Sequence, residues 1–164
     1  MYIELWLSVR YCYSCSVHTC VLYGIYGLIR LLLSSKCSPV ERYSPVDGTW
    51  SICAHMRSPR ENAGCTVYLG HIYVSGGRDE LSLELCAAER FDSDAMTWSP
   101  VKCMRSKRDS MSLVVFNGSL LAVGGSDGVT NLKTIEVYSH ETNTWRHFGS
   151  MKSKHPGGRV AVLC

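Results

Sequence analysis

The chain has 164 residues, 46% of them hydrophobic and 19% charged, with a formal net charge of +3. That is enough apolar material for a packed core, and it excludes a chain disordered by composition. Charges of both signs are interspersed and no basic stripe with interleaved aromatics stands out, so nucleic acid is not an expected partner.

Residues 1–38 read as one apolar part. They hold four cysteines, five tyrosines and four formally charged residues. The most apolar run, Val21 to Leu33, is 13 residues long and is interrupted by Arg30. A membrane helix needs about 20 residues. A secretory signal needs a charged start and a small-residue cleavage site, whereas here the first basic residue is Arg10. A membrane role is therefore not expected. Cys12, Cys15, His18 and Cys20 are metal-ligand types. Structural zinc usually takes two ligands from each of two elements, so no metal site is assigned. The segment is expected to be poorly ordered or helical, and foreign to the fold that follows.

From residue 39 onward the chain repeats itself. Val40-Glu41-Arg42-Tyr43 with Trp50 returns as Ala88-Glu89-Arg90-Phe91 with Trp98, and as Ile135-Glu136-Val137-Tyr138 with Trp145. The intervals between the tryptophans are 48 and 47 residues, and Met56, Met104 and Met151 keep them. Gly76-Gly77 and Gly124-Gly125 are also 48 apart. A fixed period of this size marks one supersecondary unit copied in tandem.

The unit is fully legible over 63–103. Ala63 to Tyr68 is an apolar, β-branched strand, Leu69-Gly70 a turn, and His71 to Ser75 a second strand that ends in the glycine doublet. Arg78 to Leu85 is a polar loop; Cys86 to Phe91 and Met96 to Val101 are strands three and four. The next copy predicts strands at 112–116, 120–123, 134–138 and 144–148. The first copy keeps only strands at 40–43 and 49–52. Short strands at regular spacing with turn signals between them give an all-β fold. Asn117-Gly118 reads as a tight hairpin turn rather than a glycosylation acceptor.

The glycine doublet after an apolar strand, the aromatic at Tyr43, Phe91 and Tyr138, and the Trp seven residues later resemble the kelch repeat. The Met56-x-x-x-Arg60 and Met104-x-x-x-Arg108 stretches are similar to those of BTB–kelch proteins. The resemblance implies an incomplete kelch β-propeller, two full four-stranded blades plus two partial ones, with an unrelated N-terminal segment. Its parts would be a half blade over 39–55, blades over 56–103 and 104–150, and a closing strand over 151–164.

The resemblance also implies a function. In that family the BTB and helical parts resemble adaptors that grip a cullin ubiquitin ligase, and the propeller holds the protein to be ubiquitinated. No stretch here resembles a BTB domain, so direct cullin binding is not expected. The expected role is protein binding, of a ubiquitination substrate or of actin, in the cytoplasm. A truncated isoform without independent activity is a third reading. Self-association through exposed blade faces is also expected.

Carried onto this chain, the family's partner loops comprise Arg78, Asp79, Ser126 and Asp127 after the doublets, and Arg60, Glu61, Arg108, Asp109 and His155 between blades. His155-Pro156 departs from the Arg-polar pair of the earlier copies. Arginines at such places suit bidentate bonds to acidic groups on a partner. Trp50, Trp98 and Trp145 are expected to pack blades, and Gly76, Gly77, Gly124 and Gly125 to permit close backbone approach. The doublets form no phosphate-binding motif, and no catalytic constellation or cofactor site stands out. The nine cysteines are odd in number and irregular in spacing. Free thiols in a reducing compartment, including Cys65, Cys86 and Cys164, are the expectation.

Overall fold

The computed structural model describes residues 7–11, 18–24, 27–33, 39–155, 157–158 and 160–162. Among these residues there are thirteen strands and no helix. The first sheet joins β1 (Leu7–Tyr11), β2 (His18–Gly24), β3 (Gly27–Leu33), β4 (Pro39–Ser44) and β5 (Thr49–His55). The second joins β6 (Gly64–Tyr68), β7 (His71–Ser75), β8 (Ala88–Asp92) and β9 (Thr97–Val101). The third joins β10 (Ser112–Phe116), β11 (Ser119–Val123), β12 (Thr134–Ser139) and β13 (Thr144–Ser150). Each sheet is an antiparallel meander in chain order, and every strand predicted over 40–148 is present within a few residues of its expected bounds.

Local chemistry accounts for the hairpins. Leu69 and Gly70 have φ of 49° and 77°, and Asn117 and Gly118 have 46° and 68°. Both turns place two residues at positive φ, as two-residue hairpins that follow strand twist require. In β4 and β12 the register shifts at Val40/Glu41 and Ile135/Glu136. The extra residue lies on the partner strand, Cys53 in β5 and Phe148 in β13, and such a bulge bends the strand that carries it; β8 and β9 pair without one.

The core lies between sheets. Val40, Met56, Cys65, Val74, Phe91 and Trp98 join the first sheet to the second. Tyr73, Met104, Met111, Leu113, Leu120, Tyr138 and Trp145 join the second to the third. Burying each large apolar side chain contributes about 1.5–3 kcal/mol, so the blades are held mainly by contacts with one another.

Trp98 and Trp145 are 8% and 6% exposed, but Trp50 is 38% exposed. Trp98 packs on the first sheet and Trp145 reaches the second, where its indole N–H donates to the Lys102 carbonyl at 2.8 Å. The corresponding position ahead of Trp50 has no blade among the described residues, so packing between blades holds for two of the three tryptophans.

Three expectations are corrected. The described parts of the N-terminal segment are strands rather than helix or irregular chain, and β3 pairs with β4, so the boundary at residue 38 runs through a sheet. The physical reason is that β4 offers a ladder edge, and the Val- and Leu-rich run ahead of it satisfies that edge. At the other end, the described residues between 151 and 162 form no strand. The Val160 amide instead bonds the Ser112 hydroxyl at 3.0 Å. Cys65 is disulfide-bonded rather than free. Cys164 and the cluster Cys12, Cys15 lie outside the described residues.

Candidate functional site

Two kinds of loop were expected to meet a partner, and the fold brings them together in pairs. Glu61 and Arg78 exchange both backbone hydrogen bonds at 2.9 Å. One repeat later, Asp109 and Ser126 do the same at 2.8 and 2.9 Å. The glycine doublets permit this closeness. Gly76 and Gly77 have φ of 69° and 89°. A Cβ on Gly76 would collide with the Arg108 carbonyl oxygen, and one on Gly77 with the Glu61 carbonyl oxygen. Gly124 and Gly125 repeat the conformation, with the Asp109 carbonyl at 2.6 Å from a Cβ on Gly125.

Arg60 and Arg108 are not part of a binding surface, which corrects the sequence reading. Both are 0% exposed. Arg60 donates to the Gly76 and Ala87 carbonyls at 3.1 and 2.8 Å and to Glu89 Oε1 at 2.6 Å. Arg108 donates to the Gly124 and Thr134 carbonyls at 2.7 and 2.9 Å and to Glu136 Oε1 at 2.9 Å. Burial lowers the Arg60 pKa, and the Glu89 carboxylate opposes that shift. The glutamates also accept backbone N–H groups: Arg57 and Ser58 on Glu89, Arg105 and Ser106 on Glu136. Every polar atom of the guanidinium fork is turned inward, so none is left to grip a partner.

Asp109 is also buried, which corrects its placement as a contact residue. Its Oδ2 sits 3.3 Å from Arg78 Nε, and Glu84 Oε1 sits at 3.3 Å from the same nitrogen. Arg78 thus bridges its own loop to the linker that enters the third sheet. Asp79 and Asp127 shape their own loops. Asp79 Oδ1 accepts the Leu81 and Leu83 amides at 2.9 Å. Asp127 Oδ1 accepts the Val129 and Thr130 amides at 2.9 and 2.7 Å, and these bonds hold its pKa below the usual aspartate value. Ser126 bridges Asp109 and Asn131 through the backbone. His155 is exposed, outside these loop pairs.

The sequence reading missed the aliphatic tips. Leu81 is 73% exposed and Val129 is 90% exposed, with Leu83 also open. The two loops touch, since a Cβ on Gly128 would meet the Glu84 carboxylate. Around these tips stand Asp79, Glu80, Glu84 and Asp127. The available signal was the Leu-Ser-Leu string inside a stretch read as polar.

No group of three or more His, Cys, Asp or Glu among the described residues is placed to hold a metal ion. No described helix is long and apolar enough to cross a membrane. A cavity of about 280 Å³ lies between the first two sheets, at the end of β8 away from the loops, between Val40, Cys53, Phe91 and Met96.

Antiparallel four-stranded sheets repeated in tandem and packed face to face define a β-propeller-type protein, here with an incomplete ring. The Kelch motif matches residues 59–105 and 107–152. The chain belongs to the kelch-repeat family, whose repeats are in general protein-interaction scaffolds. Among solved structures it is similar to YjhT, with 15% identity and a TM-score of 0.61, over 76% of this chain and 49% of that one. It is also similar to a fungal alcohol oxidase of the AA5 family in complex with copper, with 21% identity and a TM-score of 0.59, over 72% of this chain and 27% of that one. The chain therefore spans about half the length of the first and about a quarter of the second. No curated protein matches it.

Proposed function

We propose that this chain binds a protein partner through the paired loops 78–84 and 126–131. The observation that carries the reading is the exposure of Leu81, Leu83 and Val129 on loops tied down by amide bonds to the Asp79 and Asp127 carboxylates and to the neighbouring linker. Exposed aliphatic tips on rigid loops are a low-entropy contact surface, because little ordering is left to be done on binding. The carboxylates of Asp79, Glu80, Glu84 and Asp127 favour a segment that combines apolar and basic side chains.

The finer reading is the substrate-recruiting part of a cullin ubiquitin-ligase adaptor. It rests on the likeness of the Met-x-x-x-Arg and Glu-Arg-aromatic stretches to BTB–kelch proteins. The full chain would be screened against arrays of short peptides, apolar-basic beside apolar-acidic, with actin co-pelleting in parallel. Capture of apolar-basic peptides that is lost in Leu81→Ser/Val129→Ser supports the loop reading. Saturable pelleting with actin replaces the adaptor reading with a cytoskeletal one. Capture unchanged by the double substitution overturns the loop assignment.

A further inference from the structure

The segment 85–87 is the seam between the second sheet's loop and the linker into the third. The Leu85 carbonyl accepts the Arg108 amide at 3.0 Å, the Cys86 carbonyl accepts the Met104 amide at 2.9 Å, and the Ala87 carbonyl accepts the Gly76 amide at 3.0 Å. The Met104 bond sets Cys86 beside the end of β9, where Cys103 stands. Both are free thiols, Cys86 half-buried and Cys103 exposed.

We propose that Cys86 and Cys103 form a reversible disulfide on exposure to a peroxide, which locks the root of the 78–84 loop onto the 103–108 linker. The Met104 amide bond holds the two cysteines as neighbours across the seam, and the Cys86 pKa is raised by burial first and by the nearby Cys103 thiol next. The order of events follows from access. The exposed Cys103 thiolate attacks hydrogen peroxide, the O–O bond breaks, hydroxide leaves, and Cys103 becomes a sulfenic acid. The Cys86 sulfur then attacks that sulfur and the S–O bond breaks. The hydroxide released takes up the Cys86 proton as water. Two thiols are oxidised by two electrons in all, and one peroxide is reduced to two waters. A thiol reductant reverses the step by exchange.

A cross-link at this seam acts on the loop that carries Leu81 and Leu83. Its chemistry does not depend on the proposed partner reading, so either idea can fail alone. The experiment uses the full chain with and without hydrogen peroxide, alkylation of remaining thiols, tryptic digestion and mass spectrometry. Cleavage after Arg78, Arg90, Lys102 and Arg105 gives peptides 79–90 and 103–105, each with one cysteine. The expected product is the covalent pair of these peptides, present after peroxide, absent after reductant, and absent in Cys103→Ser. Amide exchange at 104 and 108 is expected to slow several-fold in the oxidised chain. The Cys65 disulfide does not confuse the readout, because its peptide is different. Recovery of Cys86 and Cys103 as separate thiols, or as separate sulfinic acids, would overturn the proposal.

Discussion

The Arg108 guanidinium donates to Glu136 Oε1 from Nε at 3.2 Å and from Nη2 at 2.9 Å, with both side chains sealed from solvent. One repeat earlier Arg60 pairs with Glu89 Oε1 through Nη2 at 2.6 Å, and its Nε donates to the Ser58 carbonyl at 3.2 Å. Removing one partner leaves the other charge buried and unpaired, at a cost of about 3–5 kcal/mol. Arg108→Met and Glu136→Leu are each expected to lose that much stability in urea unfolding. The double variant should cost less than the sum, because the two are coupled. It should still fall short of the parent, since the Arg105 and Ser106 amides lose their acceptor. A double variant as stable as the parent would show that the pair is dispensable.

Glycine substitutions should separate conformation from collision. At Gly70 there is positive φ but nothing within 4 Å of an added Cβ. Gly70→Ala is expected to cost roughly 1 kcal/mol. Gly77→Ala adds a clash with the Glu61 carbonyl and with Ala63, and is expected to cost about 2–4 kcal/mol. Equal losses in thermal unfolding would mean that the doublet is selected for φ alone.

The tryptophans should rank by their cover. Trp145→Ala removes a buried ring and its bond to Lys102, for about 3–5 kcal/mol. Trp50→Ala, in the half-open position, is expected to cost about 1 kcal/mol. Stability measured by denaturant for the two variants tests the order directly.

The strands, turns and glycine doublets over 39–150 were legible because the repeat printed the last two strands three times and the first two strands and the doublet twice. The role of Arg60 and Arg108 was not, because a basic residue between two blades reads as a solvated loop charge. Their buried partners lie 29 and 28 residues downstream, a recurrence visible in the sequence once the pairing is known. Residues 7–33 carry no repeat landmark, and their β-rich apolar composition gave no period to set against a helix. Leu81 and Leu83 were hidden by the acidic residues around them.

The loop at Asp127 should respond to acid in a defined direction. Its folded pKa is depressed by the Thr130 and Val129 amides. The contribution is therefore complete above the unfolded value of about 3.9 and is lost as pH falls through the lower folded value. Amide signals of Val129 and Thr130 are expected to hold from neutrality to about pH 4 and to shift only below it. A shift centred near pH 6 would point to a different group.

The clasp of arginine, glutamate and linker amides also bears on how the loops can change. From the doublet to the clasp glutamate, the second sheet takes one residue more than the third, Gly77 to Glu89 against Gly125 to Glu136. In both repeats the arginine nonetheless donates to the first carbonyl of the doublet and to the glutamate, and the glutamate accepts two linker amides. The length difference is absorbed by the exposed tip, and the frame beneath does not register it. On the proposed reading, the tips can be lengthened, shortened or rewritten for a new partner while the arginine–glutamate clasp beneath them stays as it is.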